Sequence, residues 1–181
     1  MNHPLDEFEL KLPPGAFSTY DMETIVPELE KLQKGDTYLE VGVDRGKSLA
    51  CAWFTAGIRG VRIVGIDINT TPEAMEFLKD KSDITFFNQK SEHVAKFIWF
   101  NENKIKLLFI DGDHSYKGCH TDIEAWLPYM DKDGVMFFHD HDETSPGVMQ
   151  AVAEYAHTHN HKKYKIFKRD NCNTSMAAIY L

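Results

Sequence analysis

Short apolar runs alternate with amphipathic segments along most of the chain. The runs lack the alternation of apolar and polar residues that a strand shows when one of its faces meets water. They are therefore typical of strands that are covered on both faces. The runs predict seven strands, which cover residues 37–43, 61–66, 84–87, 105–110, 134–138, 164–168 and 176–181.

The segments before and between the first six runs predict helices, because their apolar residues recur at helical spacing. Ile25, Leu29 and Leu32 give one apolar face, and Gly35 is a suitable helix stop. The predicted helices cover residues 21–33, 48–57, 72–79, 92–100, 116–130 and 146–157.

Strands that are separated by helices indicate β-α-β units and a parallel sheet. The last two predicted strands have no helix between them, so we expect an antiparallel hairpin at one edge, joined by a polar turn through Asp170-Asn171. The predicted fold class is α/β, with a doubly wound seven-stranded sheet that is mostly parallel and ends in this hairpin. A chain of 181 residues without a visible linker predicts one domain over residues 1–181, with an N-terminal arm at 1–20.

Composition excludes several classes of protein. Asp and Glu outnumber Lys and Arg by 28 to 20, and this acidic balance argues against nucleic acid as the main partner. The apolar runs are shorter than the roughly 18 residues of a membrane span, and the first ten residues do not resemble a signal peptide. Cys51, Cys119 and Cys172 are too few and too widely spaced for a disulfide framework. We expect a cytoplasmic protein without a membrane partner.

Candidate chemistry follows the strands, because open doubly wound sheets bind ligands at the carboxyl ends of their strands. The first strand ends in a loop with Gly42, Asp44 and Gly46, where the glycines permit a tight turn and a close ligand. Glu40, just before the loop, suits a cationic ligand group. The spacing differs from that of dinucleotide sites and phosphate loops, and an ordinary strand-to-helix turn explains it equally well.

Asp67 closes the second strand, 21 residues after Gly46. An acid at this position is placed to accept hydrogen bonds from both hydroxyls of a ribose. A helix cap or a surface residue is the alternative, but the glycine loop and Asp67 together favour a nucleoside ligand.

The next two strands end in titratable residues. Asp111, Asp113 and His114 follow the fourth strand, and His139 and Asp140 follow the fifth. Asp111 and Asp140 close adjacent strands and should share one rim of the sheet, where carboxylates would hold a hard divalent cation. Either imidazole is a candidate general base near neutral pH. Capped, hydrogen-bonded turns are the alternative.

These segments resemble a known family. Glu40–Gly46 and Gly65–Ile68 are similar to the first two motifs of class I methyltransferases, which have a Rossmann-like fold and use S-adenosylmethionine. Phe109–Gly118, Asp122–Pro128 and His139-Asp140 resemble a subgroup of small proteins related to sugar and macrolide O-methyltransferases and to cephalosporin-hydroxylase-like proteins. The resemblance covers essentially the whole predicted domain.

The resemblance implies a role for each matching position. Asp67 would bind the ribose, Ile68 would pack on the adenine, and Ser91 would lie near the adenine edge, although Lys90 stands where an acid is usual. Asp111 would lie near the sulfonium and the acceptor. The implied cofactor-binding residues are Glu40, Gly42, Asp44, Gly46, Asp67, Ile68, Ser91 and Asp111.

Metal-dependent relatives bind magnesium through an acid after the fourth strand and a pair of residues after the fifth. Asp111, Asp140 and His141 stand at those positions, so the resemblance implies a Mg²⁺ site with one nitrogen ligand. The implied catalytic residues are Asp111, His114 and His139.

The predicted function is transfer of a methyl group from S-adenosylmethionine to a hydroxyl of a small molecule such as a sugar or natural product. The alternative is a non-catalytic module or subunit that binds the cofactor alone. A nicotinamide-dependent oxidoreductase is disfavoured by the missing G-x-G-x-x-G pattern. Because little chain remains for a substrate lid, the acceptor would be held on an open face or by a second copy in a homo-oligomer.

Overall fold

The computed structural model describes residues 6–97, 104–159, 163–168 and 175–181. The strands are β1 (Thr37–Val41), β2 (Arg62–Asp67), β3 (Ile84–Asn88), β4 (Ile105–Ile110), β5 (Met130–Phe138), β6 (Tyr164–Lys168) and β7 (Ser175–Tyr180). The helices are α1 (Asp6–Glu9), α2 (Thr19–Leu29), α3 (Lys47–Thr55), α4 (Pro72–Leu78), α5 (Ser91–Phe97), α6 (Tyr116–Trp126) and α7 (Pro146–Thr158).

All seven strands form one sheet in the order β3-β2-β1-β4-β5-β7-β6. The first five strands are parallel, and β7 is antiparallel to both β5 and β6. The predicted fold class is thus confirmed, including the C-terminal hairpin. Within that hairpin β7 lies next to β5, and β6 forms the edge. The predicted turn at Asp170-Asn171 lies outside the described residues.

Two apolar layers cover the sheet, one on each face. Tyr38 belongs to the layer with α2 and α3, whereas Leu39 and Val41 belong to the layer with α5, α6 and α7. Consecutive residues of one strand therefore enter opposite layers, which explains why the strand pattern lacks alternation.

The observed elements differ from the predicted ones mainly at their ends. The predicted helix at 116–130 ends at Trp126, a 3-10 turn over Leu127–Tyr129 contains Pro128, and β5 starts at Met130. Pro128 ends the helix because its ring removes a backbone donor. At the other end of the chain α2 starts at Thr19, because Ser18 caps it.

The longest helix among the described residues is α7, with 13 residues. None of the helices described is long and apolar enough to cross a bilayer.

Candidate functional site

The loop after β1 packs directly against the end of β4. Gly42 has a φ of +88°, and a Cβ atom at this position would lie 2.0 Å from the carbonyl oxygen of Asp111. Backbone hydrogen bonds fix the approach from both sides, since the Gly42 amide donates to Ile66 and the Asp111 amide donates to Val41. A glycine is therefore required at residue 42 for this contact.

Asp67, at the end of β2, holds the same loop through its carboxylate. Its Oδ2 accepts hydrogen bonds from the backbone amides of Val43 (2.8 Å) and Asp44 (2.9 Å), and its Oδ1 accepts one from the Asn69 amide (2.8 Å). Asp44 has a φ of +47°, a conformation that this bond helps to maintain. Asp67 thus shapes the loop, a role that the sequence does not predict.

Glu40 lies fully buried in β1. Its carboxyl group accepts hydrogen bonds from the hydroxyls of Tyr38 (2.5 Å) and Ser48 (2.6 Å). Burial raises the pKa of Glu40 to about 8, so the group is largely uncharged at neutral pH. The expectation that Glu40 offers a negative charge to a cationic ligand is therefore not supported by its surroundings.

A cavity of about 710 Å³ opens at the carboxyl ends of β1, β2 and β4. Six of the residues implied by the resemblance line it, whereas Glu40 and Gly46 are not among its lining residues. Gly46 instead precedes α3 in a left-handed conformation. The six lining residues are Gly42, Asp44, Asp67, Ile68, Ser91 and Asp111.

Carboxylates dominate the charge of this cavity. Two lysines, Lys90 and Lys117, line it together with six acids. Such a lining attracts a cation and repels a phosphate. The acids are Asp44, Asp67, Glu92, Asp111, Asp113 and Asp122.

Asp122 is a cavity residue that the sequence does not single out. Its side chain is 5% exposed, and burial raises its pKa to about 6, although the Ser91 hydroxyl opposes this by hydrogen bonding. Ser91 also accepts a hydrogen bond from Nε1 of Trp126 at 2.7 Å. The detectable signal is that Asp122 interrupts the buried stripe of α6, which otherwise contains Cys119, Ile123 and Trp126.

His139 lies at the centre of a group of carboxylates. Its Nδ1 is 3.4 Å from Oδ1 of Asp111 and 3.3 Å from Oδ2 of Asp140. Its Nε2 is 3.3 Å from Oδ2 of Asp21. Burial alone would lower the pKa of His139, but these three carboxylates outweigh burial and raise it to about 12.

His114 approaches two of the same carboxylates from the solvent side. Its Nε2 is 3.4 Å from Oδ1 of Asp111 and 3.5 Å from Oδ2 of Asp140. The hydrogen bond to Asp111 raises the pKa of His114. The side chain of His114 is 43% exposed, against 4% for His139, so an outside molecule can reach the His114 ring.

The N-terminal arm and α2 close the buried side of this group. Asp21 accepts hydrogen bonds from the Ser18 amide (2.7 Å) and hydroxyl (2.6 Å), and Phe17 packs 6.3 Å from the His139 ring, measured between centroids. The capping pattern of Ser18 and Asp21 is readable from the sequence. That the carboxylate of Asp21 also faces His139 depends on how α2 packs on the sheet.

His141 does not join the group in which the resemblance places it. Its Nε2 is 2.8 Å from the hydroxyl of Tyr164, and its backbone carbonyl accepts a hydrogen bond from Ser175. Asp140 has a φ of +50°, which turns the chain after β5 and directs His141 towards β6 and β7. His139 takes the place beside the carboxylates that was predicted for His141.

Asp111, His139 and Asp140 each offer one donor atom, and these atoms all lie within 4.8 Å of one another. Two carboxylate oxygens and one imidazole nitrogen fit a divalent cation that accepts nitrogen, such as Mn²⁺ or Zn²⁺. They fit Mg²⁺ poorly, because Mg²⁺ prefers oxygen ligands.

A family model described as a methyltransferase domain matches residues 39–141, which is more than half of the chain. The uncharacterized protein R132 of Acanthamoeba polyphaga mimivirus is 30% identical to the chain over 142 residues. This alignment covers 73% of the chain and 64% of R132, so the chain spans less than two thirds of that relative.

Solved methyltransferase structures share the fold at low identity. CalS11, a TDP-rhamnose 3'-O-methyltransferase in calicheamicin biosynthesis, has a TM-score of 0.69 and 15% identity, covering 99% of this chain and 96% of its own. The SAM-dependent O-methyltransferase TM0748 from Thermotoga maritima has a TM-score of 0.71 and 13% identity, and the match covers 99% of this chain and 71% of TM0748. An rRNA methylase from Streptococcus thermophilus has a TM-score of 0.66 and 11% identity, and the match covers 87% of this chain and 93% of the methylase.

Proposed function

The chain belongs to the family of methyltransferase domains, and we propose that it transfers the methyl group of S-adenosylmethionine to a hydroxyl group of a small molecule, such as a sugar or natural product. One observation carries the proposal. Asp111 lines the acidic cavity and also lies within 3.4 Å of both His114 and His139. The cavity that would hold the cofactor and the imidazoles that would handle the proton therefore meet at Asp111.

The cavity lining suits the charge and shape of this cofactor. The sulfonium and the amino group of S-adenosylmethionine are cationic, and six acids against two lysines favour such a ligand. Gly42 and Asp44 would shape the wall beside it, and Asp67 would accept one hydrogen bond from the ribose while still holding the loop. A carboxylate has about four acceptor positions, and the backbone amides use three of those on Asp67.

Ile68 and Ser91 would contact the adenine from two sides. Ile68 lines the cavity beyond β2 and is 63% exposed, so a flat ring would cover apolar surface there. The hydroxyl of Ser91 is already engaged by Trp126 and Asp122, so Ser91 would act chiefly by shaping the wall.

When bound, the cofactor supplies an electrophilic methyl group, and the chain has to orient the acceptor oxygen and take up its proton. His114 is the accessible imidazole beside Asp111. With a proton on Nε2, held by Asp111 and Asp140, the Nδ1 atom carries a free lone pair that would accept the proton of the acceptor. Buried His139 would hold Asp111 and Asp140 in place.

A divalent cation held by Asp111, His139 and Asp140 would take the place of the proton on Nδ1 of His139, orient the acceptor hydroxyl and lower its pKa. The donor set favours Mn²⁺ or Zn²⁺ over the Mg²⁺ that the resemblance implies. His141 takes no part in this group, because it is hydrogen-bonded to Tyr164.

The acceptor class rests on the acid–base group and is supported by the activities of CalS11 and TM0748. The acidic balance of the chain argues against RNA, but an rRNA methylase shares the fold. RNA therefore belongs among the acceptors to be tested.

Calorimetric titration with S-adenosylmethionine and S-adenosylhomocysteine tests the cofactor site. We expect the wild-type protein to bind both and Asp67→Ala to bind them at least about tenfold more weakly, because a charged acceptor is lost. Asp133→Ala is the matched control, since Asp133 is an exposed acid near the start of β5. Absence of binding to the wild-type protein would overturn the proposal.

Formation of S-adenosylhomocysteine with sugars, nucleotide sugars, phenols and rRNA as acceptors tests the reaction. We expect His114→Ala to keep cofactor binding and lose at least about a hundredfold in turnover. Cofactor binding without turnover on any acceptor would favour the non-catalytic binding module. Turnover on rRNA alone would replace the small-molecule acceptor.

A further inference from the structure

Gly147, in the first turn of α7, packs against the backbone of the loop that carries His114 (residues 111–115, the His114 loop). A Cβ atom on Gly147 would lie 2.3 Å from the amide nitrogen of Tyr116 and 2.6 Å from the carbonyl oxygen of His114. Both are backbone atoms, so an alanine at residue 147 would force α7 and the loop apart. The two segments can therefore lie this close only with a glycine at residue 147.

The conformation of Gly147 does not itself require a glycine. Gly42 and Gly46 have positive φ angles, whereas Gly147 does not. Gly147 follows Pro146 inside α7, and a glycine within a helix is less favourable than an alanine. The feature of the structure that accounts for this glycine is therefore its close approach to the His114 loop.

A side-chain contact joins α7 to the same region. The hydroxyl of Tyr116 donates a hydrogen bond to Oε2 of Glu154 at 2.8 Å. Tyr116 directly follows the His114 loop, and Glu154 lies about two helical turns after Gly147. The helix α7 thus contacts the end of the loop at two separate points.

The beginning of the His114 loop is fixed by the sheet instead. The backbone amide of Asp111 donates a hydrogen bond to the carbonyl oxygen of Val41 at 2.8 Å. Asp113, which the sequence singles out as a titratable residue, accepts a hydrogen bond from the Ser115 amide at 2.9 Å. His114 lies between these supports, so a change in the contact with α7 should displace His114 more than Asp111.

We propose that α7 sets the position of His114 through Gly147 and Glu154, and so keeps the imidazole beside Asp111 and Asp140, where it would face the acceptor. This inference rests on the proposed function, in which His114 takes up the proton of the acceptor. Gly147 and Glu154 are positioning residues, because they act through His114 and lie outside the lining of the cavity.

Gly147→Ala should move α7 and the loop apart by about 1 Å, and a displacement of this size at a reacting group can cost about a hundredfold in rate. We expect kcat to fall at least about tenfold, while the dissociation constant of S-adenosylhomocysteine stays within about threefold, because Asp111 remains bonded to β1. The matched control is Gly134→Ala, whose Cβ atom would lie 2.9 Å from the backbone oxygen of Asp131 at the opposite end of the sheet. Gly134→Ala should be overpacked as well and keep kcat within about twofold.

A double-mutant cycle with His114→Ala separates positioning from a general loss of stability. In a protein that already lacks the imidazole, Gly147→Ala should lower kcat by less than about twofold. A loss of the same size with and without His114 would overturn the inference. Should Gly147→Ala not fold, Tyr116→Phe removes only the hydroxyl that is bonded to Glu154, and the same cycle should show a loss of about threefold that depends on His114. No loss in Tyr116→Phe, or a loss that persists without His114, would count against the proposal in the same way.

The crystal structure of Gly147→Ala gives a readout that does not depend on turnover. We expect Nε2 of His114 to lie roughly 1 Å further from Oδ1 of Asp111 than its present 3.4 Å. An imidazole that has not moved would overturn the inference. Failure of the wild-type protein to bind the cofactor or to methylate any acceptor would overturn the proposed function, and the position of the ring would still decide whether α7 positions His114.

Discussion

The carbonyl oxygen of Asp111 occupies the space that a side chain on Gly42 would need. Because a Cβ atom on Gly42 would lie 2.0 Å from that oxygen and 2.7 Å from the amide nitrogen of Gly112, the two loops cannot keep their contact with any larger residue. The contact joins the end of β1 to the end of β4, which together form the floor of the cavity. A substitution that breaks this contact between the loops should therefore also weaken cofactor binding.

Gly42→Ala should abolish binding of S-adenosylhomocysteine and lower the free energy of unfolding. The matched control is Gly35→Ala, because Gly35 also has a positive φ, +93°, but has nothing within 4 Å of its Cβ position. Both variants should lose about 1 kcal/mol or more through the left-handed backbone. Gly42→Ala should lose roughly 1–3 kcal/mol more through overpacking.

Urea unfolding and calorimetric titration measure both effects. Equal loss of stability in the two variants, with cofactor binding retained in Gly42→Ala, would contradict the close approach of the two loops.

Glu40 should make the protein less stable as the pH rises through neutrality. The folded state raises the pKa of Glu40 from 4.5 to about 8, so it binds a proton that the unfolded chain has already released. The free energy of unfolding should fall between pH 4.5 and 8 by up to roughly 4–5 kcal/mol from this group. Glu40→Gln has no proton to lose and should remove that slope.

Urea unfolding at several pH values compares the wild type with Glu40→Gln and with Glu143→Gln, whose side chain is 89% exposed. Glu143→Gln should follow the wild type. Parallel profiles for the wild type and Glu40→Gln would mean that Glu40 is ionised in the folded protein.

The strands and the polar residues that follow them are visible in local pattern, which is why the sheet is predictable from the sequence and why six of the eight residues implied to bind the cofactor line the cavity. Asp67 and Asp111 are found because polar residues at the ends of apolar strands share one edge of a parallel sheet. This argument does not find Asp21 and Asp122, because both residues belong to helices and not to the ends of strands. Their contribution depends on how α2 and α6 pack, and the only local trace is a capping pattern or an acid in an apolar stripe.

His141 is the opposite case, because the sequence singles it out but the fold directs its side chain away from the carboxylates. Its sequence position beside Asp140 suggests a shared role, but one residue with a positive φ separates the directions of their side chains. A left-handed conformation at a non-glycine residue is set by tertiary contacts and cannot be inferred from strand pattern.

Asp21→Asn should destabilise the protein through its contact with His139. The change leaves the imidazole 3.3 Å from a neutral amide in a buried site, and removing one partner of a buried charge pair is costly. Ser18→Ala is the comparison, because it removes the cap of α2, worth about 1 kcal/mol, and leaves the Asp21 carboxylate in place.

The difference in unfolding free energy between Asp21→Asn and Ser18→Ala isolates the contact with His139. We expect Asp21→Asn to cost roughly 2 kcal/mol more than Ser18→Ala and to reduce turnover as well. Equal costs would show that Asp21 acts only as part of the helix cap.

Substitution of His139 should weaken the binding of a divalent cation, whereas substitution of His141 should not. The donor atoms of Asp111, His139 and Asp140 converge within 4.8 Å, whereas Nε2 of His141 is hydrogen-bonded to Tyr164. We expect Mn²⁺ to bind more tightly than Mg²⁺, because one ligand is nitrogen. His139→Asn should weaken Mn²⁺ binding at least about tenfold, and His141→Asn, the change of a second buried histidine, should leave it within about twofold.

Pulsed electron paramagnetic resonance of bound Mn²⁺ gives an independent readout, because a directly bound imidazole nitrogen produces a characteristic coupling. The coupling should persist in His141→Asn and disappear in His139→Asn. Thermal unfolding of both variants separates loss of the ligand from loss of the fold. Loss of the coupling in His141→Asn alone would restore the ligand set that the sequence predicts, and that outcome would require the turn at Asp140 to reverse when the metal binds.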